Sequence, residues 1–342
     1  MMKRKKLKQI IKLDLSFSVL MIATLAICIF LAIALGGRLY SGAVFLGMAY
    51  SIPEFALISI AMTMVIIMGG IDLSLVANAN MSGMIGAMIL SGAFFDISKV
   101  NIYILVMGTI LLVLLIAALG GLINGLIISR FSAVPMIATL GTMTLYNGIT
   151  TALSKGKAVA NFPKEFLMLG TQKVAGIPLV FLIMLIAFMI MVFCFNRTGY
   201  GQKLYLMGEN CAASRFSGIN NEKNICITYT IAGLLSGIAS IVIIARSNSA
   251  KVGYGETYLL QSVLVAVLGG VSPSGGKGKL EGTLLAIFAI YLLQNAFNLW
   301  QFTTFTKKFM WGIMLLLVMF ITQITEKYMN RLQKKKKISK NE

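Results

Sequence analysis

The sequence contains no histidine, and its four cysteines stand singly at positions 28, 194, 211 and 226. Without histidine, neither a Ser-His-Asp triad nor an HExxH zinc motif can be assembled. Single cysteines without a CxxC pair give no zinc or redox signature, and we interpret them as small apolar residues in helix contacts. The sequence therefore predicts no catalytic residue, no metal ligand and no cofactor, and we expect a protein that is not itself an enzyme.

Charged residues are scarce as well, at 12% of the chain, whereas hydrophobic residues reach 58%. Soluble domains usually carry about 25% charged residues. A soluble core could not absorb this much apolar surface, so most of it must face lipid or neighbouring membrane helices. The apolar run at 102–123 is long enough to cross a bilayer, for which about 20 residues suffice. The composition therefore predicts a multi-pass membrane protein.

Acidic residues are outnumbered by basic ones, 11 to 30, and much of the excess lies near the two termini. Six Lys or Arg lie in 3–12 and seven between Lys327 and Lys340. Both clusters flank apolar spans, as cytoplasmic anchors beside anionic lipid do. We interpret this charge as a topology signal and expect no nucleic-acid partner. The predicted organisation is a basic cytoplasmic tail at 1–16, a transmembrane domain at 17–325 and a second basic cytoplasmic tail at 326–342.

Ten apolar segments predict an all-α polytopic membrane protein with about 10 (8–10) transmembrane helices, some of them broken. An even number of crossings returns the C-terminus to the side of the N-terminus, and the basic tails make that side cytoplasmic. This topology places the segment 153–173 outside the cell, where its four lysines oppose the expected excess of Lys and Arg on the cytoplasmic side. The predicted spans are 17–35, 51–68, 73–94, 102–128, 134–152, 174–195, 224–245, 256–271, 280–299 and 308–325.

The segment 65–89 places a glycine pair and polar residues inside an apolar stretch. Gly69 and Gly70 permit backbone angles that end a helix, and Asp72 or Ser74 can cap the next one. A broken crossing is tolerated only where protein or water covers it. The pattern therefore predicts either a structural cap with hydrogen bonds between helices or a part of a solute path.

Further polar residues on the spans extend this candidate path. Asn78 and Ser82 share one face of the helix after the break, and Asn124 and Asn295 lie on later spans. An acidic residue at membrane depth, here Asp72, is a functional candidate by default. The candidate path residues are Asp72, Ser74, Asn78, Ser82, Asn124 and Asn295.

Two patterns have mainly structural interpretations. Ser51-Ile-Pro-Glu54 fits a capping box, which predicts a helix start at Ser51 and a capping role for Glu54 near the outer interface. A proton carrier at Glu54 is the alternative. Small residues on helix faces permit close approach in membranes, and such glycines recur on two spans. They are Gly120, Gly121, Gly125, Gly233 and Gly237.

The segment 268–283 is rich in glycine and superficially similar to a phosphate-binding loop. The pattern Gly-x4-Gly-Lys-[Ser/Thr] is not met, because Gly276 stands in the place of the lysine after Gly275. Lys277 is followed by Gly278, so the hydroxyl that would hold Mg²⁺ is missing. We interpret this segment as a tight re-entrant or cytoplasmic turn between two spans.

The segment 201–224 is polar, although predicted apolar spans flank it on both sides. Within it, Ala212, Ala213, Phe216 and Ile219 recur at helical spacing, which predicts a short amphipathic helix. Asn210 precedes this stripe, and Gly218 and Asn220 are stop signals that follow it. Such a helix either lies on lipid headgroups or docks into a groove of a partner. The small apolar face favours docking.

The chain resembles the membrane permease subunits of bacterial ABC importers for simple sugars, the ribose-transporter type. The resemblance rests on four sequence motifs: "GGIDLS" at 69–74, "INGLIISRFSAVPMIATLGTM" at 123–143, "GQKLYLMGENCAASRFSGIN" at 201–220 and "LGGVSPSGGKGKLEGT" at 268–283. They occur in the family's order, and the resemblance spans roughly residues 40–325.

The resemblance implies two permease subunits around one path, either two copies of the chain or the chain with a sister permease. It also implies separate ABC ATP-binding subunits in the cytoplasm and an extracytoplasmic solute-binding protein. The loop 197–223 is then the cytoplasmic coupling loop. By match to the family's coupling segment, the residues that contact the ATP-binding subunit are Gly208, Glu209, Asn210, Ala212, Ala213, Ser217 and Gly218.

We therefore expect the permease subunit of an ABC importer in the bacterial cytoplasmic membrane, forming the path for a simple sugar or sugar-like solute. The chain lacks a phosphate loop, so a separate subunit must supply the energy. The alternative is an ion-coupled secondary transporter of a small polar solute, which broken helices also suit. That alternative has only Asp72 and Glu54 as plausible proton carriers and leaves the amphipathic helix without a role.

Overall fold

The computed structural model describes residues 24–26, 28–36, 40–94 and 100–338, and within them it is overwhelmingly helical. The predicted basic tail 1–16 and residues 339–342 lie outside this description. The helices are α1 (Thr24–Leu35), α2 (Gly42–Ile67), α3 (Leu75–Leu90), α4 (Ile102–Arg130), α5 (Pro135–Ser154), α6 (Lys164–Thr171), α7 (Leu179–Arg197), α8 (Gly199–Glu209), α9 (Cys211–Phe216), α10 (Asn221–Ser247), α11 (Glu256–Leu268), α12 (Leu280–Leu299) and α13 (Thr304–Ile338).

Six helices of the described part are long and apolar enough to cross a membrane, namely α2, α4, α7, α10, α12 and the first 19 residues of α13. Three shorter apolar helices, α1, α3 and α11, accompany them. The expected all-α membrane protein is thereby confirmed. The structure also has a helix, α5, at the predicted span 134–152.

Helix α2 forms the centre of the bundle. Its most apolar window is 89% buried inside the protein, whereas that of α13 is 6% buried and those of α4 and α7 are 28% buried. A helix that is apolar on all sides must be covered on all sides, and α2 carries fully buried Phe55, Leu57, Ile60 and Met62. The outer helices turn apolar faces such as Ile186 and Phe193 outward, as lipid-facing surfaces require.

Helices α4 and α10 bring their backbones close together in the core. A Cβ atom at Gly121 would lie under 3.0 Å from the Tyr229 carbonyl oxygen, and one at Gly233 under 3.0 Å from the Ala117 carbonyl oxygen. At Gly125 the same atom would be 2.7 Å from the Cys226 Cα. The packing role predicted for these glycines is confirmed, because backbone atoms cannot move aside as side chains can.

The two ends of the bundle differ. Helices α8 and α9 lie at one end, which we call the α9 end. At the other end, β1 (Val159–Ala160) pairs antiparallel with β4 (Ser249–Ala250), and β2 (Lys173–Val174) pairs antiparallel with β3 (Ile177–Pro178). We call it the strand end. Helix α10 has 27 residues and reaches from one end to the other, about 40 Å at 1.5 Å per residue.

The capping box predicted at Ser51 is wrong. The helix begins at Gly42 with Ser41 as its N-cap, and Pro53 lies inside it. Ser51 instead donates its hydroxyl hydrogen to the Gly47 carbonyl, 2.6 Å away. The apolar sequence upstream of Ser51 continues the helix, and neighbouring helices in a membrane bundle tolerate an internal proline. Glu54 consequently lies in the buried interior instead of at a helix start.

The predicted start of the span at 174–195 is also wrong. Residues 173–178 form the β2–β3 hairpin, and α7 starts only at Leu179. Ala175 and Gly176 both have positive φ angles, 52° and 84°, as the tight turns of two-residue hairpins require. The apolar character of this stretch carried no signal for the turn.

The close contact between α4 and α10 makes a stability prediction. Gly121→Ala would overpack it and lower the free energy of unfolding by about 1–3 kcal/mol. Gly108→Ala, also on α4, meets no atom within 4 Å and should instead stabilise the helix by up to about 1 kcal/mol. Thermal unfolding of the two purified variants in detergent measures the difference, and equal midpoints would contradict the packing role.

Candidate coupling site and polar core

The short helix α9 is confirmed, together with its predicted stop, while the residue that starts it, Asn210, was predicted only to lie on its polar face. The Asn210 side-chain oxygen accepts a hydrogen bond from the Ala213 amide at 2.9 Å, which caps the helix. Gly218 has a φ angle of 81° and follows the helix end. Asn220 then caps α10 by accepting from the Lys223 amide at 2.9 Å. Local sequence signals therefore define the bounds of this helix.

The outer surface of α9 is exposed. Phe216 is 94% exposed, the most exposed large hydrophobic residue of the described part of the chain. Ala212, Ala213 and Ser217 beside it are also exposed, whereas Ser214 turns inward and bonds Asn221. An aromatic residue held out on a capped helix offers an anchor for a groove in another protein.

Three separate segments meet where α8 ends. The Gly276 amide donates to the Ile67 carbonyl at 2.9 Å, which joins the glycine-rich turn to the end of α2. A Cβ atom at Gly208 would lie under 3.0 Å from both of these groups, and one at Gly275 would lie 2.7 Å from the Gly69 Cα. We call Ile67, Gly69, Gly208, Gly275 and Gly276 the glycine junction. The three backbones touch there with no side chain between them.

A side chain reinforces the glycine junction from α8. The Tyr205 hydroxyl donates to the Gly278 carbonyl at 3.0 Å. Burial, with Glu281 nearby, raises the pKa of Tyr205 to about 12. The tyrosine therefore keeps its proton and this bond at any physiological pH. Phe195 packs edge-on against Tyr205 and holds α8 against α7.

The glycine-rich segment 268–283 is a tight turn between α11 and α12, as predicted. The Ser272 amide donates to the Lys277 carbonyl at 3.0 Å, and the Gly275 amide donates to the Ser272 carbonyl at 2.9 Å. Gly275 and Gly276 both have positive φ angles, which favour glycine. These amides of the turn thus donate hydrogen bonds within the turn, and the Gly276 amide donates to α2.

The predicted break between two helices is confirmed at 68–74. Helix α2 ends at Ile67, and α3 begins at Leu75. Asp72 is buried and accepts from both the amide and the hydroxyl of Ser74, at 2.9 and 2.7 Å. The Ser74 side chain makes no capping bond to α3. Asp72 therefore stabilises the turn before the helix instead of the helix start itself.

A chain of hydrogen bonds extends from this break into two neighbouring helices. The Asn124 amide nitrogen donates to the Ser74 hydroxyl at 2.7 Å, and the Thr142 hydroxyl donates to the Asn124 oxygen at 2.7 Å. All the participating side chains are buried. The chain links the break to α4 and α5, and sequence reasoning missed Thr142, which is one of many threonines on α5.

A second group of polar side chains ties α3 to α4 and α10. Asn78 donates to the Ala117 carbonyl at 2.9 Å and to the Ser236 hydroxyl at 3.2 Å. Ser82 donates to the Asn78 carbonyl at 2.9 Å, so the two residues share a face as predicted. The structure thus brings five candidate path residues close together. Asn295 lies apart on α12, where it donates to the Tyr291 carbonyl.

Comparisons with known proteins agree with this architecture. The profile of a family described as the permease component of a branched-chain amino acid transport system matches residues 44–319. A ribose import permease protein of Bacillus subtilis is 35% identical over 268 residues, 78% of this chain and 80% of the relative. One from Haemophilus influenzae is 35% identical over 73% of this chain and 76% of the relative.

A third relative is an autoinducer 2 import system permease protein of Yersinia enterocolitica, which is 29% identical over 71% of this chain and 72% of the relative. No solved structure matches the chain. Together with the six apolar helices of the described residues, these matches identify a multi-pass protein of the bacterial inner membrane that is not itself an enzyme, because ATP hydrolysis belongs to a separate subunit. The chain belongs to the family of the ribose import permeases, the membrane permease subunits of ABC importers.

Proposed function

We propose that the chain forms the translocation path for a simple sugar or sugar-like solute and is driven through α9 by an ATP-binding subunit. Two relatives are named for ribose and a third for autoinducer 2. The observation that carries the mechanism is the glycine junction, since it connects the end of α8, which leads into the exposed helix α9, to the break at 68–74. The break lies beside the polar core, the buried group formed by Asp72, Ser74, Asn78, Ser82, Asn124 and Thr142. An extracytoplasmic solute-binding protein delivers the solute, and a second permease copy or a sister permease completes the path.

We propose about ten crossings, with both termini and the α9 end in the cytoplasm. Consecutive helices from α2 to α5 alternate between the two ends, as do α10 to α13. Helix α13 starts at the strand end, where Lys308 pairs with Glu256 at 2.7 Å, and its last residues approach the α9 end. The permease domain is then 17–325, its coupling loop is 197–223, and the basic tails 1–16 and 326–342 lie beside the cytoplasmic leaflet.

The proposed coupling residues divide into two groups by their surroundings. The exposed residues of the loop form the contact with the ATP-binding subunit. Gly208 lies behind them in the glycine junction and passes the displacement of α8 to Gly69 and Gly276. A partner shifts a two-state element only by its different affinity for the two states, so this contact must change with nucleotide. The proposed contact residues are Glu209, Asn210, Ala212, Ala213, Ser217 and Gly218.

The proposed path lies along the polar core. Asp72, Ser74 and Asn124 bond one another in this conformation, and Asn78 and Ser82 form the neighbouring group. We propose that displacement at Gly69 opens these bonds, so that the same amides and hydroxyls turn toward the solute. Neutral amides and hydroxyls suit the hydroxyl groups of a sugar, since each can donate or accept. Asn295 contributes from α12 at a different part of the path.

The contact with the ATP-binding subunit is tested with Ala213→Arg. Ala213 is exposed on α9, so the arginine should leave the fold intact but block a close-fitting groove. We expect co-purification of the ATP-binding subunit to fall about tenfold or more, as for loss of a central contact. Ala158→Arg, at an exposed position of the strand end, is the matched control. Normal co-purification in both variants would remove α9 from the contact.

The glycine junction is tested with Gly208→Ala. A methyl group there collides with the Ile67 carbonyl and the Gly276 amide, whereas Gly199→Ala, also on α8, meets no atom within 4 Å. We expect solute uptake per ATP hydrolysed to fall about tenfold with Gly208→Ala and to stay unchanged with Gly199→Ala. Both variants should retain the ATP-binding subunit. Equal coupling ratios would argue against transmission through this contact.

The energy source separates the two transporter classes. The purified chain alone in liposomes should accumulate no solute when a proton or sodium gradient is imposed. Accumulation should require the ATP-binding subunit, the binding protein and ATP together. Uptake driven by either ion gradient in the absence of an ATPase would instead establish the ion-coupled secondary transporter.

A further inference from the structure

A cavity of about 100 Å³ opens near the strand end, between α2, α10 and the segment leading into α11. It is separate from the polar core and the glycine junction, and neither the family resemblance nor the proposed coupling assigns it a role. Its polar lining comes from Glu54, Arg246, Ser247, Tyr254 and Tyr258. A water needs about 10–15 Å³ of such volume, so the cavity has room for a small polar ring.

An ion pair forms one wall of the cavity. Arg246 donates to Glu54 through two nitrogens, with Nη2 at 2.9 Å from Oε1 and Nε at 3.3 Å from Oε2. The Tyr258 hydroxyl donates to the same Oε1 at 2.6 Å. The Glu54 side chain is 5% exposed and that of Arg246 is 34% exposed. The buried Glu54 carboxylate is thus fixed by hydrogen bonds from Arg246 and Tyr258, while part of the Arg246 guanidinium stays accessible to a ligand.

The distribution of hydrogen-bonding capacity indicates what the cavity can hold. The guanidinium has five N–H donors, of which Glu54 takes two, so donors remain for a ligand. The Ser247 hydroxyl donates its hydrogen to the Ile243 carbonyl at 2.7 Å and can still accept a hydrogen bond from a ligand. Ionisable residues on membrane-spanning helices are mostly functional, and Glu54 and Arg246 lie on α2 and α10, two helices long and apolar enough to span. Glu54 therefore has a better explanation here than as a helix cap or a proton carrier.

An aromatic residue, Tyr254, forms another part of the wall. The Tyr254 hydroxyl shares a hydrogen bond with Ser249 at 2.6 Å, and the Tyr254 carbonyl accepts from Asn80 at 3.0 Å. Lys251 Nζ lies 4.8 Å from the centre of the Tyr254 ring. These contacts fix the ring at the cavity. A flat apolar surface beside a few placed polar groups is the usual composition of a small-molecule site.

The charges of the lining decide the class of ligand. Glu54 and Arg246 cancel each other, so an anion would meet the carboxylate and a cation the guanidinium at close range. A neutral molecule with adjacent hydroxyls avoids both repulsions, because each hydroxyl donates to one group and accepts from another. The Tyr254 ring can cover its carbon–hydrogen face. This chemistry describes a neutral polyol of monosaccharide size.

We propose that this cavity is the receiving subsite for the solute at the strand end, and that Glu54 and Arg246 select neutral polyhydroxylated molecules through their hydroxyls. The inference rests on the proposed sugar transport and names where the solute is first held. Helices α2 and α10 both extend from this subsite toward the α9 end, so the subsite and the glycine junction share the helix that carries Glu54 and Ile67.

The test is saturation-transfer NMR, which detects sugar bound to the protein. The sample is the complete permease with its ATP-binding subunit in nanodiscs, without the solute-binding protein. The probes are D-ribose and 2-deoxy-D-ribose. We expect a signal from D-ribose that falls about tenfold in Arg246→Lys and Tyr254→Leu. Arg246→Lys keeps the charge, and Tyr254→Leu leaves the ion pair intact, so both should fold. Glu256→Gln breaks an exposed ion pair at the same end and should leave the signal unchanged.

The selectivity readout separates recognition from a structural role. If the guanidinium binds hydroxyls, Arg246→Lys should also change the ratio of the ribose signal to the deoxyribose signal, which a general loss of packing would not do. Unchanged signals in both subsite variants, or no signal from the native protein, would overturn the subsite. ATP-driven uptake of these sugars by the full transporter is measured in parallel. If the native transporter takes up these sugars but the NMR signals of the two variants equal that of the native protein, the subsite alone is refuted. If the native transporter takes up no neutral sugar, the proposed function is refuted.

Discussion

The hydrogen bond from the Gly276 amide to the Ile67 carbonyl is the contact on which this arrangement depends. The last carbonyls of any helix lack partners within the helix, and the amides of residues 68–70 satisfy those of α2 except that of the buried Ile67. The glycine-rich turn supplies one, and this requires that Gly208, Gly275 and Gly276 carry no side chains. The same requirement that completes α2 therefore brings the coupling segment into backbone contact with it.

Two helices extend the consequences of this contact across the membrane. Helix α2 carries Ile67 in the glycine junction and Glu54 at the cavity, while α10 begins beside α9 and carries Arg246 near its far end. The Gly121–Gly233 contact locks α10 against α4, so α10 cannot bend freely around a displacement at its start. A shift at the α9 end would thus reach the Glu54–Arg246 pair through packed helices, which respond as units.

Local features of this fold were predictable from sequence, and contacts between distant segments were not. The break at Gly69 and the stop at Gly218 follow from backbone preferences of single residues. The glycine junction could not be anticipated, because a glycine has no side chain whose chemistry names a partner. Glu54 was misassigned for a related reason: a four-residue pattern fitted a cap, whereas its true partner Arg246 is 192 positions away. Proposed roles in the solute path depend on motions that neither a sequence pattern nor one conformation contains.

The central claim is that α9 and the glycine-rich turn move together as one unit, and pulsed electron–electron resonance tests it most directly. Spin labels would be placed at Arg215 on α9 and Lys277 on the turn, both exposed, in a chain whose four cysteines are replaced. The assembled transporter would be measured without nucleotide and trapped with ATP. The account predicts the same distance distribution in both states, while labels at Arg215 and Ala158 report a change between the two ends. A shift between Arg215 and Lys277 as large as that between the ends would contradict it.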